Sequence, residues 1–221
     1  MATFVLVPGG WHGGWYFGPL ADRLRERGHR AHPVTLTGIG ERNHLAGANL
    51  DTHVRDVLGL LDSERIEDAV LCGHSYAGMV ISGVADRAPG RVRALVYSDA
   101  YVPEDGQSCW ELTTDGFRQL FLEGARADGH TIAAPPGLDP RTTSHPLASM
   151  TQVARLTGAW RTVARKHYVY LSGWPGSPFP EVYRRLRADP GWSTHELPVS
   201  HNVMRDAPDA LLDILLRAAD A

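Results

Sequence analysis

The chain has 221 residues, 43% hydrophobic and 21% charged, with a formal net charge of −3. That length suits one α/β domain better than two, and the balance of charge argues against a nucleic-acid or anionic-membrane partner. Two cysteines are too few for a disulfide framework.

The first residues, Met1-Ala-Thr-Phe-Val-Leu-Val, enter a strand directly, with no basic segment followed by an apolar one. No stretch reaches the ~18 apolar residues of a membrane span. A soluble, cytoplasmic protein is the expectation. Phe4–Val7 reads as a buried strand leading into the glycine loop Pro8-Gly9-Gly10-Trp11-His12-Gly13-Gly14-Trp15. A helix over Pro19–Arg27 stops at Gly28, and a short strand over His32–Thr35 precedes Thr37-Gly38-Ile39-Gly40. Leu50–Leu61 carries the helical stripe Val54, Val57, Leu58 and Leu61. Ala69–Cys72, a strand, runs into Gly73-His74-Ser75-Tyr76-Ala77-Gly78, and Met79–Ala88 into a helix ended by Pro89-Gly90. Arg93–Ser98 is the next strand. Strands alternating with helices at this spacing predict a mostly parallel sheet covered on both faces.

From about 103 to 165 the pattern breaks. Helix-like pieces over Trp110–Gly124 and Ala148–Ala164 flank a Pro/Gly/Thr-rich stretch, Ala133–Pro146, with no clear strand. We read this segment as a small helical cap inserted into a single domain spanning 1–221. The sheet resumes at His167–Leu171, a last short strand covers Thr194–Leu197, and an amphipathic helix over Pro208–Ala219 ends the chain.

Ser75 sits where a strand turns sharply into a helix. Small residues two places before and after it, Gly73 and Ala77, let the turn close, and the helix aims its free N–H groups at the reacting centre. This is the setting of a nucleophilic serine; the alternative is a glycine-rich turn with an incidental serine. A serine hydroxyl needs a positioned base. Of the 11 histidines, His201 is best placed, in the loop between the last strand and the final helix. His195 lies within a strand, His167 opens one at its far edge, and His74 is expected to pack under the turn. The orienting acid must follow another strand. The loop after His167–Leu171 holds no carboxylate before Glu181, whereas Asp99 follows Arg93–Ser98 at once. Asp99 is therefore the expected acid, with a structural turn at Asp99 and Glu181 as the alternative. Oxyanion donors are expected at the N–H of Tyr76 and at that of Gly10 or Trp11. The substrate pocket is expected from Trp11, His12, Trp110, Phe117 and Phe121, with Leu147 beside them. His145 falls in the cap, either exposed or touching substrate; Trp15 reads as core. No metal-ligand spacing occurs, so no metal and no cofactor is expected.

These residues resemble the α/β-hydrolase superfamily, and within it the branch of plant methyl esterases, hydroxynitrile lyases and pyrethroid-hydrolase-type carboxylesterases. The likeness rests on Phe4–Trp15, the Gly73–Met79 turn, Ser98-Asp99-Ala100-Tyr101-Val102-Pro103-Glu104-Asp105-Gly106, and Leu197-Pro198-Val199-Ser200-His201-Asn202-Val203-Met204. Pro8 replaces the usual histidine, Ala77 a glycine, and the usual acid position is empty. Gly9 stands where the lyases carry threonine, and Lys166, the single lysine, is misplaced for their chemistry. The resemblance implies a carboxylesterase-like serine hydrolase acting on a small or medium, partly apolar ester, with a homodimer as one allowed assembly. A lyase or cyclase without an acyl-enzyme, or a non-catalytic small-molecule binder, are the alternatives.

Overall fold

A computed structural model describes residues 1–220. Six strands form one sheet: β1 (Thr3–Val7), β2 (Arg30–Pro33), β3 (Ala69–His74), β4 (Val92–Ser98), β7 (Arg165–Leu171) and β8 (Ser193–Leu197). They lie in the order β2-β1-β3-β4-β7-β8, and every pairing is parallel. Parallel strands need crossover connections, and here helices supply them. Helices α1 (Gly18–Glu26) and α9 (Pro208–Ala219) cover one face, while α2 (Leu50–Ser63) and α3 (Ala77–Arg87) cover the other.

Alternation along the strands sorts the core into these two layers. Phe4 and Leu6 of β1 pack with Leu20, Leu24 and Leu211; Val5 and Val7 pack with Val54, Val57 and Val80. The apolar runs Phe4–Val7 and Ala69–Cys72 are buried throughout, as a strand covered on both faces requires. Strand order reverses between β1 and β3, so the loops leaving those two strands splay apart at their carboxyl ends. In such sheets that crevice is where ligands bind.

The segment between β4 and β7 differs from its sequence reading in two ways. The first helix-like piece is two helices, α4 (Cys109–Leu112) and α5 (Asp115–Gly124), divided at Thr113-Thr114, where Thr114 caps α5. The second is only α6 (Leu147–Thr151), because its following residues run extended to a single 3₁₀ turn over Ala159–Thr162. A strand pair is present after all: β5 (Thr131–Ile132) and β6 (His145–Pro146) form a two-residue antiparallel ladder, too short to leave a period-2 signature. The predicted strand at His32–Thr35 lies two residues earlier.

Buried hydrogen bonds tie this segment to the core. The Asp86 carboxylate on α3, 7% exposed, accepts from the N–H groups of Thr157, Gly158 and Trp160 and from the Thr157 hydroxyl. The Gln152 side chain accepts from Asp51 N–H at the start of α2. Asp86→Ala would leave these N–H groups without an acceptor. We expect it to lower unfolding stability by roughly 3 kcal/mol, read from urea unfolding midpoints at unchanged slope.

Candidate active site

Ser75 occupies the turn between β3 and α3 with φ +55°, in the left-handed region that disfavours a side chain. Its backbone is held there from both sides: Ser75 N–H donates to Ser98 O (3.2 Å), and its carbonyl accepts from Gly78 and Tyr101 N–H (3.2 Å each). The tightness of the turn falls on Gly73. A Cβ at that position would lie 2.7 Å from Ala77 O, and Ala77 itself is buried.

Asp99 directly follows β4, also left-handed at φ +45°. Its N–H donates to Val169 O at 2.7 Å, extending the ladder to β7 by one residue. The carboxylate is fully buried and accepts from Leu171 N–H (3.1 Å) and from His201 Nδ1 (2.7 Å). His201 lies in the loop between β8 and the short helix α8 (Val203–Asp206). Its carbonyl accepts from His74 Nε2–H (2.9 Å), so His74 does pack beneath the turn and holds the histidine loop. Glu181, the alternative acid, sits on the exposed first turn of α7 (Pro180–Arg187), paired with Arg184.

Burial acts against charge on both members of the Asp99–His201 pair. It raises the Asp99 carboxyl, an effect Leu171 N–H opposes, and lowers the His201 imidazole to about 3, with His12 nearby adding to the shift. A neutral imidazole with its proton on Nδ1, toward Asp99, leaves Nε2 as an acceptor. Ser75 and His201 line the same cavity. Their mutual hydrogen bond is absent among the described residues, a contact that free enzymes commonly tighten only with substrate.

The glycine loop after β1 closes the third side. Gly9 comes so near Ser75 that a Cβ there would lie 2.8 Å from the Ser75 Cβ. The N–H groups of Gly10 and Tyr76 have no hydrogen-bond partner among the described residues, whereas Trp11 N–H is spent on His145 Nδ1 (3.4 Å). Of the two residues proposed for the loop donor, Gly10 is the one left free. The Tyr76 side chain points into the core, where its hydroxyl meets His53 Nδ1 (2.8 Å).

The cavity over Ser75 has a volume of about 320 Å³. Trp11, His12, Phe117 and Phe121 line it as expected. Three expected residues, Trp110, Leu147 and His145, do not. Trp110, one place along α4 from the cavity-lining Cys109, turns outward to a surface groove shared with Leu122 and Leu147. His145 is neither exposed nor at the cavity wall. It is wholly buried among Trp11, Tyr76 and His53. Trp15 is only partly buried and carries Arg141 over its ring. The sequence reading missed Trp174, whose ring stacks on His201 with centroids 4.0 Å apart, and Phe179 behind it. Trp174 lies in the loop after β7. The rule that loops at the carboxyl edge face the site could have found it. His167 and His195 stack on each other across β7 and β8, and the Lys166 ammonium donates to Val163 O.

Neutral histidines make this structure acid-sensitive. His53 is lowered to about 4, His167 to about 4 and His201 to about 3, while His74 and His145 fall well below the ordinary value, burial being the leading cause in each. The unfolded chain binds these protons from about pH 6.5 downward and the folded chain does not. Asp99 alone works in the opposite sense. The melting temperature should fall steadily as pH drops below about 6.5, and the acid limb of kcat/KM should have its midpoint below the same value. A midpoint at or above it would show that burial does not set the protonation of the group that acts as base.

A model described as the alpha/beta hydrolase family matches residues 4–214. The chain is similar to a carbendazim hydrolyzing esterase of Nocardioides sp. (strain SG-4G), 39% identical over 97% of this chain and 98% of that protein. An alpha-hydroxynitrile lyase of Arabidopsis thaliana is 33% identical over 46% of this chain and 40% of its own length. Among solved structures, an extracellular alpha/beta-hydrolase from a Paenibacillus species, described as sharing structural and functional homology with tobacco salicylic acid binding protein 2, superposes with a TM-score of 0.86. The two are 21% identical, and both chains are covered in full.

Proposed function

The chain belongs to the alpha/beta hydrolase family, and we propose that it is an ester hydrolase that cleaves neutral, flat, largely aromatic esters through an acyl-enzyme on Ser75. The observation that carries this reading is the 2.7 Å bond between buried Asp99 and His201, whose ring borders the same cavity as the Ser75 turn.

His201 Nε2 takes the Ser75 proton as the hydroxyl oxygen attacks the ester carbonyl. The N–H groups of Gly10 and Tyr76 stabilise the charge that develops on the carbonyl oxygen, in a largely apolar cavity that screens them little. His201 then returns the proton to the departing alkoxide. In the second half, water gives a proton to His201 and attacks the acyl-enzyme; the acyl–Oγ bond then breaks, the acid leaves, and His201 returns the proton to Ser75 Oγ. Asp99 holds the imidazole in the tautomer that both halves require.

Substrate class follows from the wall. Among the described residues no Asp, Glu, Lys or Arg side chain lines the cavity; Trp11, Phe117, Phe121, Trp174 and Phe179 do. Flat rings offset-stack or meet edge-on with such neighbours, whereas a charged group entering would lose its hydration without a partner. The lyase alternative finds no support at Gly9, which has no room for a side chain, or at Lys166, held by main-chain carbonyls at the opening of β7.

With p-nitrophenyl benzoate, Ser75→Ala should reduce kcat to background and abolish labelling by a fluorophosphonate, with an unchanged melting curve. Full activity in that variant would remove the serine from the reaction. Asp99→Asn should cost about 10²- to 10⁴-fold in kcat; a loss below about tenfold would mean that another group orients His201. An anionic carboxybenzoate ester should turn over at least about tenfold less efficiently than the neutral one, chiefly through KM.

A further inference from the structure

The cap strand pair nearest the glycine loop does not line the cavity; its His145 holds a peptide. We infer that His12 and His145 are positioning residues that grip the Gly10–Trp11 peptide from its two ends and so fix the oxyanion site. This inference rests on the ester-hydrolase reading above.

His12 Nδ1 lies 2.7 Å from Gly10 O, and a carbonyl can only accept, so His12 carries its proton on Nδ1. His145 is set the other way. Its Nε2 lies 2.7 Å from Ser149 Oγ. The one hydrogen of that hydroxyl is spent on Pro146 O at 2.8 Å. His145 Nε2 must therefore donate, which leaves Nδ1 as the acceptor for Trp11 N–H at 3.4 Å. One peptide plane thus has its C=O held by one imidazole and its N–H by another, each in a tautomer of its own. Both rings are kept neutral, first of all by burial.

Two further bonds hold Trp11, and both come from the same cap hairpin. The indole Nε1–H donates to Ile132 O (3.0 Å), and Thr143 N–H donates to Trp11 O (3.1 Å). Ile132 and His145 are paired across β5 and β6. Trp11 needs such support because it is a bulky residue at φ +67°. With that plane fixed, Trp11 N–H cannot swing into the site. The Gly10 N–H belongs to the preceding peptide, whose Gly9 carbonyl accepts from His12 N–H (3.4 Å), and it stays unspent at the cavity that Ser75 lines. A weaker grip would leave substrate binding intact and cost only the stabilisation made in the transition state.

The test compares His145→Phe and His12→Phe, which remove the hydrogen bonds and keep a ring, with His145→Asn and His12→Asn. Asparagine can place an acceptor or a donor near the Nδ1 position. For each variant, kcat and KM for p-nitrophenyl benzoate are measured beside the inhibition constant of an aryl trifluoromethyl ketone, which forms a tetrahedral adduct on serine. The Phe variants should lose about 10- to 100-fold in kcat with KM changed less than about threefold. The ketone should weaken in proportion to kcat/KM, and the Asn variants should recover most of both. Phe variants with kcat/KM within about threefold of the parent, or a loss of kcat that leaves ketone affinity unchanged, would overturn the inference.

Nitrogen-15 NMR of the unmodified protein decides the matter without variants. Nδ1–H on His12 and Nε2–H on His145 are expected; either imidazole in the other tautomer overturns the grip. That spectrum stands even if the unmodified protein shows neither turnover nor fluorophosphonate labelling, a result that would instead overturn the ester-hydrolase reading.

Discussion

Backbone strain, placed at the ends of three adjacent parallel strands, is the constraint on which the candidate site depends. Among the described residues, four non-glycine positions have positive φ, and three of them are Trp11, Ser75 and Asp99. They sit in or next to the loops leaving β1, β3 and β4, neighbours in the sheet. Each such conformation costs of order 1–3 kcal/mol and persists only where the surroundings over-determine it. Here they do. Ser75 is tied to Ser98 and Tyr101, Asp99 to Val169 and Leu171, and Trp11 to Ile132, Thr143 and His145. A parallel sheet supplies the rigid base: its register sets where each loop starts, and the left-handed residue then turns the chain abruptly across the crevice.

The same logic explains how a carboxylate that follows β4 meets His201. Strands β4 and β7 are hydrogen-bonded neighbours, so a carboxylate leaving either one can reach a histidine that comes from β8. With the carboxylate on β4, the loop after β7 is released from that duty. In this chain it carries Trp174, whose ring stacks on His201, while the His74 ring lies tilted 4.4 Å from it. An imidazole packed against two rings has little freedom to rotate about its side-chain bonds. Aromatic packing there supplements the single hydrogen bond to Asp99.

The sheet was readable in the sequence because its signals are local: apolar runs four to seven residues long, glycine and proline at their ends, and helical stripes between them. Ser75 and His201 were readable because chain order and strand-loop context narrow the choice. Asp99 needed one inference more, that β4 and β7 are neighbours. The family likeness drawn from Phe4–Trp15 and the Gly73–Met79 turn agrees with the matched family model. The segment between β4 and β7 resisted because its structure is not set by periodicity. A two-residue strand pair has no pattern to detect, and α6 stops where Gln152 and Ala154 are drawn to Asp51 and Gln107. His145 was misjudged for the same reason. Nothing near it in sequence says that a histidine in a Pro/Thr-rich stretch will be buried to the last atom; only Trp11, 134 residues away along the chain, explains it.

The ties on the cap bear on how small molecules enter and leave. The segment is fastened to α3 through Asp86, to α2 through Gln152 and to the glycine loop after β1 through Trp11. Swinging it away as one body would break bonds at all three places and free the glycine loop in the same motion. Rotations of the wall side chains Phe117, Leu120 and Trp174 would break none of them. Small molecules can pass by rotation of those wall side chains while all three ties stay made.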